Sequence, residues 1–291
     1  MFRTSNPALR QDVFRPAETW GDLESGRRDA TSAGEPTDIE GAPPGTAKRV
    51  MTLQGTVNKS FFMLALVVTT ALIGWNFVLK DPGIGMFVGV GGAIAGLVLA
   101  IVACIWPRSA PVTAPLYALA EGLFVGAVSA IYATRFGGSV SIKNADVTLN
   151  TGLIFNAVLM TFGITGATLA AYASKLIRPG RTFYNVTIAA TGGLCLYILI
   201  AWVSAAFFNA PGLLSVYDPS NGGMISIGFS ALVLLLGAAN LVLDFDVINN
   251  GVRNRAPRYM EWYGSFALMV TLIWIYLESL RMLAKLQSRR E

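Results

Sequence analysis

The stretch "MISIGFSALVLLLGAANLVLDFDVI", Met224 to Ile248, decides how the chain is read. It is apolar for twenty residues and then places Asp244 and Asp246 where aliphatic side chains are still expected. A lone run of this length could be a buried core helix, but six more accompany it. The seven fall near 60–79, 84–106, 113–134, 151–174, 185–208, 224–248 and 260–283. Each is long enough as a helix to cross a hydrocarbon core, which needs about 20 residues. Over 291 residues the chain is 54% hydrophobic and only 13% charged, with a mean hydropathy of +0.55. Soluble domains carry about 25% charged residues. The expectation is an all-α integral membrane protein with seven transmembrane helices.

Glycine, proline and charge mark the breaks: "KDPG" at 80–83, "PRSAP" at 107–111, "RFGGSVSIKNAD" at 135–146, "RPGR" at 178–181, a loop near 209–223 and "NNGVRNRAPR" at 249–258. Short connections make antiparallel neighbours. Residues 1–56 differ in kind, being rich in Pro, Gly, Ser, Thr and mixed charge. Such a segment cannot bury enough surface to offset its ordering entropy, so it reads as a disordered cytoplasmic tail ahead of a membrane domain over 57–291. Phe14 and Trp20 are its weak docking points. No secretory signal peptide is visible. With the tail inside, the inner loops hold seven basic residues (Arg108, Lys175, Arg178, Arg181, Arg253, Arg255, Arg258) and the outer loops three (Lys80, Arg135, Lys143). The positive-inside rule then puts the N-terminus in the cytoplasm and the C-terminus outside. Arg281, Lys285, Arg289 and Arg290 argue the other way.

Composition also excludes. Histidine is absent, which removes Ser-His-Asp hydrolysis, His-ligated zinc and haem on a proximal His. Cys104 and Cys195 stand alone in apolar runs, far from any CxxC spacing, and read as buried free thiols. The net charge of +5 gathers at helix ends rather than in a patch, which points to a bilayer surface and not to nucleic acid. Without His, and without the motifs of intramembrane proteases, an enzyme is disfavoured. No cofactor is called for. Small residues recur four apart at Gly85 and Gly89, Gly92 and Gly96, Gly122 and Gly126. That spacing lets helix backbones approach closely.

Four acids lie in or near the spans, and each needs a reason, since a charge at the bilayer centre costs at least ~2.5 kcal/mol. Glu121, in "ALAEGLFVGAVSA", is deepest and has no basic residue near it on its own helix, which makes it protonatable or hydrogen-bonded to a neighbour's backbone. Asp244 and Asp246 diverge by about 200° around a helix, so they face different neighbours. Asp244 is expected to face inward with Asn240. Asp246 either pairs with Arg253 or Arg255 at the boundary or stands at the mouth of a pathway. Glu278, followed by Arg281 at i+3, reads as a local ion pair at the interface and is a secondary candidate. By depth, Glu121 at about 12 Å and Asp244 at about 6 Å from the inner surface could approach each other, whereas Asp246 and Glu278 could not. Glu121 and Asp244 are therefore the pair that depth favours, with Asp246 at the rim.

The blocks "NLVLDFD" (240–246), "WY" (262–263) and "VTLIWIYLESLRML" (270–283) resemble the Bax inhibitor-1/YccA family, the transmembrane BAX inhibitor motif proteins, and within it a bacterial branch. "ALAEGLFVGAVSA" and the early "RTSNPAL" point the same way. The resemblance implies a seven-helix bundle with a central last helix wrapped by the other six, in a bacterial inner membrane. It implies a pH-sensitive leak of cations, notably Ca2+, governed by one aspartate late in helix six and another in helix seven. Asp246 matches the first position. Around Leu268 to Val270 there is no acid to match the second, and the arginine those branches carry in helix two is missing from 84–106. Asp244 or Glu121 would then take the partner's role, with Ca2+ as the transported ion and Asp244 and Asp246 as its candidate contacts. The resemblance thus makes Glu121, Asp244 and Asp246 the candidate pH-sensing and cation-pathway residues. The alternative implied is a non-conducting modulator of a membrane-bound, FtsH-like quality-control protease, engaged through the tail.

Overall fold

The computed structural model describes residues 50–136, 149–208, 212 and 215–289. Seven long helices carry it: α1 Leu53–Lys80, α2 Pro82–Ile105, α3 Ala110–Arg135, α4 Thr151–Ala173, α5 Arg181–Phe208, α6 Met224–Arg253 and α7 Met260–Ser288. All seven are long and apolar enough to cross a membrane. Among the described residues the only β pairing is an isolated antiparallel bridge between Val50 and Pro257.

Local chemistry sets the helix ends. Asp81 closes α1 and caps α2, its Oδ1 accepting from the backbone N–H of Gly83 and Ile84, with Pro82 in the first turn. A proline there gives up a donor the helix does not use. Asn150 caps α4 by accepting from Leu153 N and donates to the Phe136 carbonyl and to Gln287. It thus ties the start of α4 to the ends of α3 and α7. Between α4 and α5 the chain turns through Lys175 at φ 60°.

α7 is the central helix. Its main neighbours are α1, α3, α4 and α6, while α2 packs on α1 and α3, and α5 packs on α6. The core joins Met63 and Val67 of α1, Tyr117 of α3, and Phe266, Met269 and Ile273 of α7. Only 11% of the most apolar window of α5 is buried inside the protein. Such a helix is stable only with lipid as the solvent for its sides.

Three expectations change here. α1 begins at Leu53 with Thr52 as its cap, and Val50 to Thr52 are tied to the α6–α7 loop, so residues 50–56 belong to the membrane domain. Phe14, Trp20 and residues 1–49 lie outside the described residues. Cys104 and Cys195 are exposed rather than buried in the bundle. A small apolar side chain needs no protein cover when its surroundings are acyl chains. Glu278 is buried at 1% exposure rather than set at an interface.

The small residues sit where helices come closest. A Cβ on Gly122 or Gly126 would overlap Thr70 or the Ala71 carbonyl of α1, and one on Gly92 would lie 2.5 Å from the Ala120 carbonyl of α3. Gly96 faces the carboxyl of Glu121.

Candidate functional site

Asp244 and Asp246 sit in the last three turns of α6 and look in different directions, as a two-residue step around a helix requires. Thr271 of α7 donates its hydroxyl to Asp244 Oδ2 at 2.6 Å, and the same hydroxyl lies 3.3 Å from the Ala267 carbonyl. Both partners lie in the spans, Thr271 buried and Asp244 half-buried. The pair can therefore persist in two forms. An ionised Asp244 accepts from Thr271. A protonated one can donate to the Thr271 oxygen while the threonine hydrogen turns to Ala267. Protonation changes the charge between α6 and α7 without removing the bond.

Asp246 faces α4 and α5. Tyr172 donates to its Oδ1 at 3.1 Å, and Tyr184 and Asn250 donate to its Oδ2 at 2.6 and 2.9 Å. Asn249 in turn donates to the Tyr172 hydroxyl at 3.2 Å. The expected ion pair with Arg253 or Arg255 is not formed. Ion pairs within 4.0 Å among the described residues are Lys59–Glu261, Arg258–Glu261 and Arg281–Glu278. Phenolic donors from two neighbouring helices reach the carboxylate first, because Asp246 lies about two turns inside the helix end where those arginines project.

Asn240 also departs from expectation. It lies one turn before Asp244 but donates to Thr191 of α5 at 2.8 Å, whereas Asp244 meets α7. Glu121 and Asp244 are not brought together. Glu121 turns to Gly96 of α2, where the missing side chain leaves it room. Asp244 turns to α7, which packs on both α3 and α6, whereas α3 and α6 are not among the closely packed pairs. Depth along the axis allowed the meeting and the helix arrangement prevents it. Since Asp244 and Asp246 also diverge, they do not form one Ca2+ cage. Among the described residues no group of three His, Cys, Asp or Glu converges as a metal site.

One polar cluster escaped the sequence reading, and a second, whose Glu278–Arg281 ion pair was expected, is buried rather than interfacial. At the tail-bearing end, Glu261 is 2% exposed. It pairs with Lys59 and accepts both the backbone N–H and the hydroxyl of Thr52 at 2.9 Å. The signal was a lone Lys opening the first span and a lone Glu opening the last, at one depth. Beside them lies an open cavity of about 740 Å3. At the far end Glu278 pairs with Arg281, whose guanidinium lies 4.1 Å from the Tyr217 ring centre. One turn on, Lys285 is fully buried and donates to the Val216 and Ser226 carbonyls and to Ser230 Oγ, at 2.7, 3.1 and 2.9 Å. In sequence it looked like an ordinary interfacial lysine.

The bundle, its central last helix and its acid-bearing α6 can now be compared with known proteins. The family model described as Bax inhibitor 1 like matches residues 6–288. The chain belongs to that family. Comparison with curated proteins and with solved structures gives no match. The family match spans all seven helices, so this Bax inhibitor 1 like chain shares the family's whole membrane domain. Within it, the α7 residue that meets Asp244 is a threonine and not an acid.

Proposed function

We propose that this protein is a proton-responsive cation leak, with Ca2+ as the permeating ion and Asp244 as the switch. The observation that carries this reading is the Asp244–Thr271 contact, a titratable oxygen held between the central helix and α6. With one carboxyl and one hydroxyl, proton sharing between two acids is replaced by a change of charge at a fixed position. The ionised form supplies a hard oxygen that attracts Ca2+. The neutral form withdraws that attraction. Asp246 acts in this scheme as a positioned anion nearer the mouth, and Glu121 as a separate protonatable group on α3.

The test is Ca2+ flux into liposomes holding the purified protein, from pH 6 to pH 8. Flux is expected to rise with pH, because deprotonation creates the attracting charge. Asp244→Asn should give low flux that no longer responds to pH. Asp246→Asn should lower flux at every pH, and Glu121→Gln should leave the response in place. Flux equal to that of empty liposomes at every pH, with the helices intact, would overturn the proposal.

A second reading is a non-conducting modulator of a membrane-bound quality-control protease. It draws support from the root of the tail, where Met51 N donates to the Ala256 carbonyl at 2.7 Å and Thr52 binds Glu261, fastening the chain to the α6–α7 loop. Deleting residues 1–46 should abolish engagement of such a partner and leave a conductance intact. We place the N-terminus in the cytoplasm and the C-terminus outside a bacterial inner membrane. Arg281 and Lys285 lie within the bundle and do not count as loop charges, so the opposing tally shrinks.

A further inference from the structure

A cavity of about 830 Å3 opens at the tail-bearing end between α1, the α4–α5 turn and the end of α6. Its wall carries Lys175, Arg178 and Arg253, all exposed and none in an ion pair with an acid among the described residues. The one carboxylate in the lining is Asp246, and its two oxygens are already held by neutral donors, the Tyr172 and Tyr184 hydroxyls and the Asn250 amide. Three cations therefore face the opening against the single charge of Asp246, and none pairs with it within 4.0 Å, so the lining is net positive among the described residues. The turn that presents two of them is fixed by backbone bonds, Lys175 N to the Tyr172 carbonyl at 3.0 Å and Leu176 N to the Ala171 carbonyl at 3.0 Å. Lys175 itself takes a left-handed conformation at φ 60°.

Apart from Thr56, Tyr172 and Asn249, the rest of the wall is apolar. Leu53, Val57, Leu169, Ile177 and Leu268 line it, and Leu176 beside it in the α4–α5 turn is 81% exposed. A ligand that suits this lining has an anionic head for the three cations and hydrocarbon for the wall. We propose that the cavity is a binding site for an anionic phospholipid, its phosphate between Lys175, Arg178 and Arg253 and its acyl chains along the aliphatic wall. Guanidinium groups bind phosphate oxygens in pairs, and basic groups are attracted to an anionic membrane surface. A free phosphate shares the head chemistry but leaves the apolar wall uncovered.

The test uses the full-length protein in detergent micelles and measures its unfolding temperature and lipid retention by native mass spectrometry. The added probes are phosphatidylglycerol, phosphatidylcholine or inorganic phosphate. Phosphatidylglycerol should raise the unfolding temperature and stay bound, and phosphatidylcholine and phosphate should do neither. The triple variant Lys175→Gln, Arg178→Gln, Arg253→Gln should lose phosphatidylglycerol binding at least tenfold. Lys175→Arg with Arg178→Lys should retain it, as should the control Lys80→Gln with Arg108→Gln, which removes charge elsewhere. Should the triple variant fail to fold, the single variant Arg178→Gln read by lipid retention carries the test. Equal retention of phosphatidylcholine, an equal effect of phosphate alone, or undiminished phosphatidylglycerol binding by the neutralised variants would each overturn the assignment.

Discussion

Gly126→Val is expected to push α1 off α3 and to cost about 3 kcal/mol or more, enough to leave little folded protein. The reason is the partner. A Cβ at Gly126 would overlap the Ala71 carbonyl oxygen and lie 2.7 Å from both the Ala71 carbonyl carbon and Cα, all of them backbone atoms of α1. A side chain could rotate away, but a helix backbone can only move as a whole. At Gly122 the obstacles are the Val67 carbonyl at 2.6 Å and the Thr70 hydroxyl, and Gly74 of α1 meets the Leu123 carbonyl in the opposite sense. The contact is thus interlocked over two turns. Overpacking a tight core costs typically about 1–3 kcal/mol, and backbone obstacles put this site at the upper end. In a membrane such close packing is a main source of helix association, because burying apolar surface gains little from lipid. Gly163→Ala and Gly166→Ala on α4 are the controls, both exposed and with nothing within 4 Å of a new Cβ. They should change stability by no more than about 1 kcal/mol, the helix propensity difference. Unfolding midpoints in detergent decide the matter. A native midpoint for Gly126→Val would mean that α1 and α3 are not held at this distance.

This contrast marks what the sequence could and could not reveal. Four-residue spacing located Gly122 and Gly126 because periodicity along one helix is a local property. The seven spans were legible for the same reason, as length and apolarity need no knowledge of neighbours. Direction around the helix was legible only in part. The 200° divergence of Asp244 and Asp246 is seen in their separate partners, Thr271 on one side and Tyr172 with Tyr184 on the other. Which helix each would meet depends on the order of helices around α7, and a single chain of residues does not encode that order visibly. Glu121 and Asp244 share a depth range and still miss each other for this reason. Lys285 shows the converse error. Its position near the end of the last apolar run reads as an interfacial cation, yet the 215–230 segment folds two carbonyls and a serine hydroxyl onto it. A lysine's burial is set by what covers it, and here the cover comes from residues 55 to 69 positions away.

Glu261→Gln should cost about 3 kcal/mol and should be rescued in large part when Lys59 is replaced as well. Glu261 Oε1 takes two hydrogen bonds from Thr52, whose hydroxyl also accepts from Gly55 N and so caps α1. Its Oε2 meets the Lys59 ammonium, which also lies 5.4 Å from the Trp262 ring centre. One acid of the central helix thereby fixes the start of the first helix. Glutamine keeps the acceptor for Thr52 and removes only the charge, leaving the Lys59 side chain, 15% exposed, without its counterion. Breaking a buried pair from one side costs about 3–5 kcal/mol, whereas removing both partners in favour of apolar groups is often neutral. The adjoining open cavity gives the ammonium access to water, so the lower end of that range applies. In a double-mutant cycle of Glu261→Gln and Lys59→Met, the two losses should fall short of adding by about 2 kcal/mol. Additive losses would show that the two side chains act independently. The start of α1 would then rest on the Thr52–Glu261 and Ser265–Thr56 bonds, the Val50–Pro257 bridge and the Met51–Ala256 bond. Non-additivity, by contrast, would make the pair a register device. It holds α1 to α7 nearly three turns from Thr271, so that the proposed change of charge at Asp244 would act against a fixed frame rather than a sliding one.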